Sequence, residues 1–150
     1  MTESGHTAAS PQGERLLYTA KTRTFGGRER GVSRSFDGRL DVKLSAPGAP
    51  GLGTTPEQLL AAGWSASLAS AIAVAADAQR IKLPGDVAID AEVDLVTGDG
   101  GLSLRARFAV GIPGVDLGIG AALLEEAAQL CPHTKATRGA VDVAINLETP

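Results

Sequence analysis

The stretch Gly53-Thr54-Thr55-Pro56-Glu57-Gln58-Leu59-Leu60-Ala61-Ala62-Gly63-Trp64-Ser65-Ala66-Ser67 decides how the chain is read. It opens with the signals of a helix start. Thr55 is placed to act as N-cap, Pro56 stands at the first helical position, and Gln58 completes a capping box. Glu57 falls in the first turn, where a carboxylate meets the positive end of the helix dipole. From Leu59 to Ala76 there is no charged residue, and Asp77 ends the run. Its length would suit a transmembrane segment, but it is mostly Ala, Ser and Gly and lacks basic flanks and aromatic belts. The reading is a core helix, apolar all round, running to about Gln79.

Working outward toward the N-terminus, the loop Ala46 to Thr54 is rich in Pro and Gly. Its glycines are not followed by Lys-Ser/Thr, so it reads as a connection rather than a phosphate cradle. Gly31 to Ser35 and Arg39 to Leu44 flank Asp37-Gly38, a strong hairpin signal. Leu16 to Thr24 alternates loosely up to Gly26-Gly27 and is expected as another strand. The polar residues 1–15 read as a disordered tail, leaving one domain over 16–150.

Toward the C-terminus, Pro84-Gly85 breaks the chain. Val87 to Val96 and Leu102 to Val110 then form a second strand pair around the Gly-Asp-Gly turn in Thr97 to Gly101. Asp116 to Leu130 carries the apolar stripe of a second helix, which Pro132 closes. Ala140 to Leu147 alternates as a last strand. The order β-β-β-α-β-β-α-β indicates an α+β fold, with antiparallel sheets packed on two main helices.

Composition narrows the function. In 150 residues, 43% are hydrophobic and 21% charged, with net charge −3. That is an ordinary balance for one domain. No basic stripe with interleaved aromatics supports nucleic-acid binding. Cys131 is the sole cysteine, which rules out an internal disulfide. With only His6 and His133 to join it, a structural metal site is not expected. No signal peptide is visible, and neither a membrane nor a nucleic acid is an expected partner; the location expected is cytoplasmic.

The opening stretch resembles the motif GTNPEQLFAAGYSAC of the organic hydroperoxide reductase branch of the Ohr/OsmC family. Gln129-Leu130-Cys131-Pro132-His133-Thr134-Lys135-Ala136-Thr137-Arg138-Gly139 resembles that family's CPYSNATRG motif, and Gly26-Gly27-Arg28 with the Asp37-Gly38 hairpin matches its N-terminal region. Three motifs in register cover most of the chain from Tyr18 to Leu147. The resemblance implies an OsmC-like fold assembled as an intertwined homodimer. It also implies a thiol peroxidase that reduces alkyl or fatty-acyl hydroperoxides to alcohols in oxidative-stress defence. No bound cofactor is implied; the reductant is a dithiol of the lipoyl type. Carried over by position, Cys131 is the resolving cysteine, Arg28 the cation that stabilises the reactive thiolate, and Glu57 its carboxylate partner. Position 67 is the peroxidatic site, and it holds Ser67.

A serine cannot do that cysteine's work. A thiol ionises readily beside a cation, whereas a hydroxyl starts far less acidic, attacks peroxide oxygen poorly and has no comparable oxidation ladder. The serine fits either a substitution that traps a reduced-like state or a natural divergence. Trp64 and the Ser/Ala-rich run after it also depart from the motif, which favours divergence. The same fold could instead serve as a non-catalytic protein that binds or senses a lipid-like ligand. A one-cysteine peroxidase on Cys131 is a third reading. A serine hydrolase is disfavoured because Ser67 lacks a nucleophile elbow. Each residue also has a plain reading: Ser67 as a small packing residue, Glu57 as a first-turn carboxylate, Arg28 as a solvated loop charge, Cys131 as a core residue, His133 as a polar cap.

One inference is independent of the resemblance. Glu57 and Ser67 stand ten residues apart on one expected helix, about 15 Å along its axis. They cannot serve one small reactive centre in the same subunit unless the helix breaks, for instance at Gly63. The simpler expectation is that Glu57 comes from a second subunit.

Overall fold

The computed structural model describes residues 13–148. The expected disordered tail lies outside them as far as residue 12, and Gly13 to Arg15 carry neither helix nor strand.

Helix α1 spans Pro56–Ala78 and starts as its sequence dictates. Thr55 Oγ1 accepts from the Gln58 N–H at 3.1 Å, and Gln58 Oε1 accepts from the Thr55 N–H at 3.3 Å. These two bonds satisfy donors that a helix start would otherwise leave open. At the other end Arg80 adopts a left-handed φ of 58°. The N–H groups of Arg80 and Ile81 turn back onto the carbonyls of Asp77 and Ala76 at 3.0 and 2.8 Å. This is a Schellman closure built without glycine. The helix continues unbroken through Gly63.

Within one chain α1 buries only one face. Trp64, Leu68, Ala71, Ile72, Ala75 and Ala76 enter the core. Ala62, Gly63, Ala66, Ser70, Ala73 and Val74 stay exposed. The expectation of a helix covered on every side is therefore not met by this chain's own elements. By length and hydropathy α1 could cross a membrane, but its apolar face packs against the second sheet and the second helix.

That second sheet joins β4 (Ala88–Gly98), β5 (Gly101–Gly111) and β6 (Asp142–Leu147) in that order. β4 and β5 form an antiparallel hairpin paired from Ala88↔Gly111 to Gly98↔Gly101. The inward residues Ile89, Ala91 and Val93 face α1 beside Ala106, Phe108 and Val110. β6, however, runs parallel to β5, so this sheet is mixed, not purely antiparallel. A parallel pair needs a long crossover, and the chain from Ile112 to Val141 supplies it with α2 (Leu117–Leu130) and α3 (Pro132–Thr137). Pro132, expected only to close α2, also opens α3 at a position where its missing N–H is harmless.

The first sheet is β1 (Thr22–Phe25), β2 (Val32–Ser35) and β3 (Asp41–Lys43), all antiparallel. The strand expected from Leu16 shrinks to Thr22–Phe25, because pairing to β2 stops there. Phe25 and Phe36 are left largely exposed.

The β1–β2 turn that carries Arg28 depends on two glycines. Gly26 has φ +77°, and a Cβ on Gly31 would lie 2.5 Å from the Gly27 carbonyl oxygen and 2.6 Å from that of Phe25. Both obstacles are backbone and cannot swing away. Gly31→Ala is expected to destabilise the fold by about 1–3 kcal/mol through overpacking, read as a lowered urea midpoint at unchanged m-value.

Candidate functional site

Ser67 and Trp64 are three residues apart on α1 and share one face. Cys131 sits where α2 meets α3, as C-cap of the first and N-cap of the second. The Cys131 thiol donates to Ser67 Oγ at 3.6 Å. One turn away, the Trp64 indole N–H donates to Thr134 Oγ1 at 3.0 Å. Trp64 and Cys131 are fully buried, Thr134 nearly so. Trp64 also packs against Phe108 of β5 in a tilted arrangement, with ring centroids 4.9 Å apart and planes at 55°.

The sulfur makes no N-cap hydrogen bond to α3, yet its surroundings are polar. Burial pushes the Cys131 thiol up. The hydroxyl and N–H of Thr134, the Ser67 hydroxyl and the His133 N–H, gathered near the sulfur, outweigh burial and hold the thiol below its ordinary value.

A second cluster forms at the N-terminal end of α1. Arg28 Nη1 donates to Glu57 Oε1 at 2.7 Å, with the glutamate side chain only 13% exposed. The pair stands at an open cleft of about 260 Å³ lined by Pro56, Leu60, Leu95, Leu102, Ser103 and Leu104. Charge-assisted pairing fixes the guanidinium beside a wall that is apolar apart from Ser103. Leu95 and Leu102 come from the β4–β5 hairpin and are themselves exposed.

The four residues singled out by sequence thus meet as two pairs, Ser67 with Cys131 and Arg28 with Glu57. The pairs do not converge within one chain, since unbroken α1 keeps Glu57 and Ser67 about 15 Å apart along its axis. The His133 side chain is exposed. Among the described residues, no three His, Cys, Asp or Glu side chains gather where a metal ion could be held. Sequence reading missed Thr134 and the leucine cleft. A buried Trp N–H needs a partner, but no local pattern says that the partner is 70 residues away. The alternation that puts Leu95 on the α1 side of β4 was the available signal for the cleft.

The OsmC-like protein family matches residues 48–146, a segment that contains α1, both strands of the second hairpin and Cys131. The chain belongs to this family. An organic hydroperoxide resistance protein of Xanthomonas axonopodis pv. citri is 43% identical over 143 residues, 93% of this chain and 99% of that one. Among solved structures, an organic hydroperoxide resistance protein from Legionella pneumophila superposes with TM-score 0.84 at 36% identity, covering 90% of this chain and all of the other. The organic hydroperoxide resistance protein OhrB of Bacillus subtilis does so with TM-score 0.83 at 37% identity, over 89% of this chain and all of that one. The OsmC-like fold of two sheets and packed helices is therefore common to this chain and these relatives. Ser67, Cys131 and Glu57 lie inside the matched segment, and Arg28 lies before it.

Proposed function

We propose that this OsmC-like protein is an organic hydroperoxide reductase scaffold of the cytoplasm whose peroxidatic position is occupied by Ser67. The single observation that carries this reading is the contact between Ser67 Oγ and Cys131 Sγ at 3.6 Å. Two sulfurs so placed would need only a small approach to bond at about 2.05 Å. On this reading a thiolate at position 67 attacks the distal peroxide oxygen, the O–O bond breaks, and an alcohol leaves as sulfenic acid forms. Cys131 then displaces water to give a disulfide, and a dithiol of the lipoyl type returns both thiols. Arg28, oriented by Glu57, stabilises the thiolate, and the leucine cleft takes the alkyl or fatty-acyl tail. With serine at position 67, this chain is expected to show negligible turnover of cumene hydroperoxide. The test is Ser67→Cys assayed with dihydrolipoamide: recovered turnover supports the reading, and none overturns it.

The reading requires a homodimer. Position 62 is midway between Glu57 and Ser67, and Ala62, Gly63 and Ala66 are small and exposed. Two α1 helices crossing antiparallel there would approach closely. Each Glu57, with its Arg28, would come beside the partner's Ser67 and close one site at each end. Sedimentation or light scattering at micromolar concentration should give twice the chain mass; a monomer would refute the shared site.

The exposed cleft also favours one alternative, a non-catalytic protein that binds or senses a lipid-like ligand. A co-purifying acyl ligand, with no gain of activity on Ser67→Cys, would select it.

A further inference from the structure

The geometry points to Trp64 and Thr134 as a positioning pair that sets how closely the residue-131 sulfur faces position 67. Four side chains make a two-rung ladder between α1 and the start of α3. Trp64 and Ser67 are one helical turn apart on one side, Thr134 and Cys131 three residues apart on the other. Trp64 bonds Thr134 at 3.0 Å and Cys131 bonds Ser67 at 3.6 Å. The rungs differ in strength. A thiol is a weak donor, so the sulfur rung by itself holds little. The indole–hydroxyl rung is buried and well formed, and its loss would strand the indole N–H without a partner. It is also anchored from behind, because Phe108 packs against the Trp64 ring and fixes the indole to β5. The short helix capped by Cys131 is thus tied to α1 chiefly through the hydrogen bond to Thr134. Accepting the indole hydrogen bond leaves the Thr134 hydroxyl free to turn its own proton toward the sulfur.

For chemistry at position 67 this ladder acts as an orienting device. It raises the effective concentration of the two reacting atoms without touching substrate. Its catalytic meaning rests on the proposed function; its geometry does not.

The experiment uses the full-length Ser67→Cys protein equilibrated with glutathione and glutathione disulfide. The two protein thiols lose two protons and two electrons to form one disulfide. Glutathione disulfide accepts them and becomes two glutathione thiols. The equilibrium constant measures the effective concentration of the sulfur pair. Adding Thr134→Val, which strands the indole N–H, or Trp64→Phe, which deletes it, should lower it about tenfold, the scale of one buried hydrogen bond. Thr134→Ser, which keeps the hydroxyl, should stay within about twofold. Leu123→Ala, a fully buried core change two turns back along α2, should lower thermal stability yet leave the constant unchanged. The inference is overturned if the Val and Phe variants leave the constant unchanged, if Thr134→Ser falls as far as Val, or if Leu123→Ala falls equally. It is overturned too if no disulfide forms at all. No peroxide is present, so a disulfide that responds to Thr134 in a protein unable to reduce cumene hydroperoxide would sink the functional reading and leave the ladder standing. Recovered turnover with an unresponsive constant would do the reverse.

Discussion

Ser67→Cys is expected to raise cumene hydroperoxide turnover by roughly a thousandfold or more, the scale on which deleting a covalent nucleophile acts in other enzymes. The expectation comes from the thiol that stands beside position 67 and from the ion pair that the proposed dimer would bring to it. Cys131 stands within contact distance, so the second step needs only a small approach of the two sulfurs. Arg28 is held by Glu57 at 2.7 Å, so in the proposed dimer the partner's pair would bring an oriented cation to the thiolate. What is missing is an atom that ionises near neutral pH and accepts an oxygen. The measurement is dihydrolipoamide-dependent loss of cumene hydroperoxide by the native chain and by Ser67→Cys. Substantial turnover by the native chain would mean that position 67 is not the reactive one. Turnover dependent on Cys131 alone would relocate the chemistry to the thiol already present.

The same site shows how far the amino-acid sequence could be read. The start of α1 was legible because its signals lie within four residues: Thr55 and Gln58 satisfy each other's backbone donors, and nothing distant competes. The Asp37-Gly38 and Gly98-to-Gly101 hairpins were legible for the same reason. The direction of β6 was not. A strand alternating Val141, Val143, Ile145 and Leu147 looks alike whether its neighbour runs parallel or antiparallel. Only the crossover through α2 and α3 decides. Pro132 misled because one residue both ends a helix and begins another. Composition could say that α1 wants cover all round, but not whether that cover comes from the same chain. Among the described residues, Ala62, Gly63, Ala66 and Ser70 are left uncovered by this chain. The expectation that Arg28, Glu57, Ser67 and Cys131 share one site comes from the motifs. Their separation into two pairs came from helix rise, and the unbroken passage of α1 through Gly63 retains that separation.

Trp64→Ala is expected to destabilise the protein by about 3–5 kcal/mol, the range for truncating a large buried aromatic. The fully buried side chain makes three distinct contributions. Its area leaves water, its ring packs against Phe108 at 4.9 Å, and its N–H occupies Thr134 Oγ1 at 3.0 Å. Truncation removes the first two outright and opens a cavity between α1, β5 and α3 that backbone cannot fill without dragging Cys131 with it. Trp64→Phe separates these effects. It keeps most of the apolar area and the aromatic contact while deleting the N–H, so its cost should be nearer about 1–2 kcal/mol. Urea unfolding followed by circular dichroism at one fixed protein concentration measures both, because association would otherwise shift the midpoint and Trp64 is the sole tryptophan and fluorescence reporter. A loss below about 1 kcal/mol for Trp64→Ala, typical of a surface change, would mean that the indole does not sit at the junction of helix and sheet. Equal losses for Ala and Phe would mean that the hydrogen bond to Thr134, rather than packing, holds that junction.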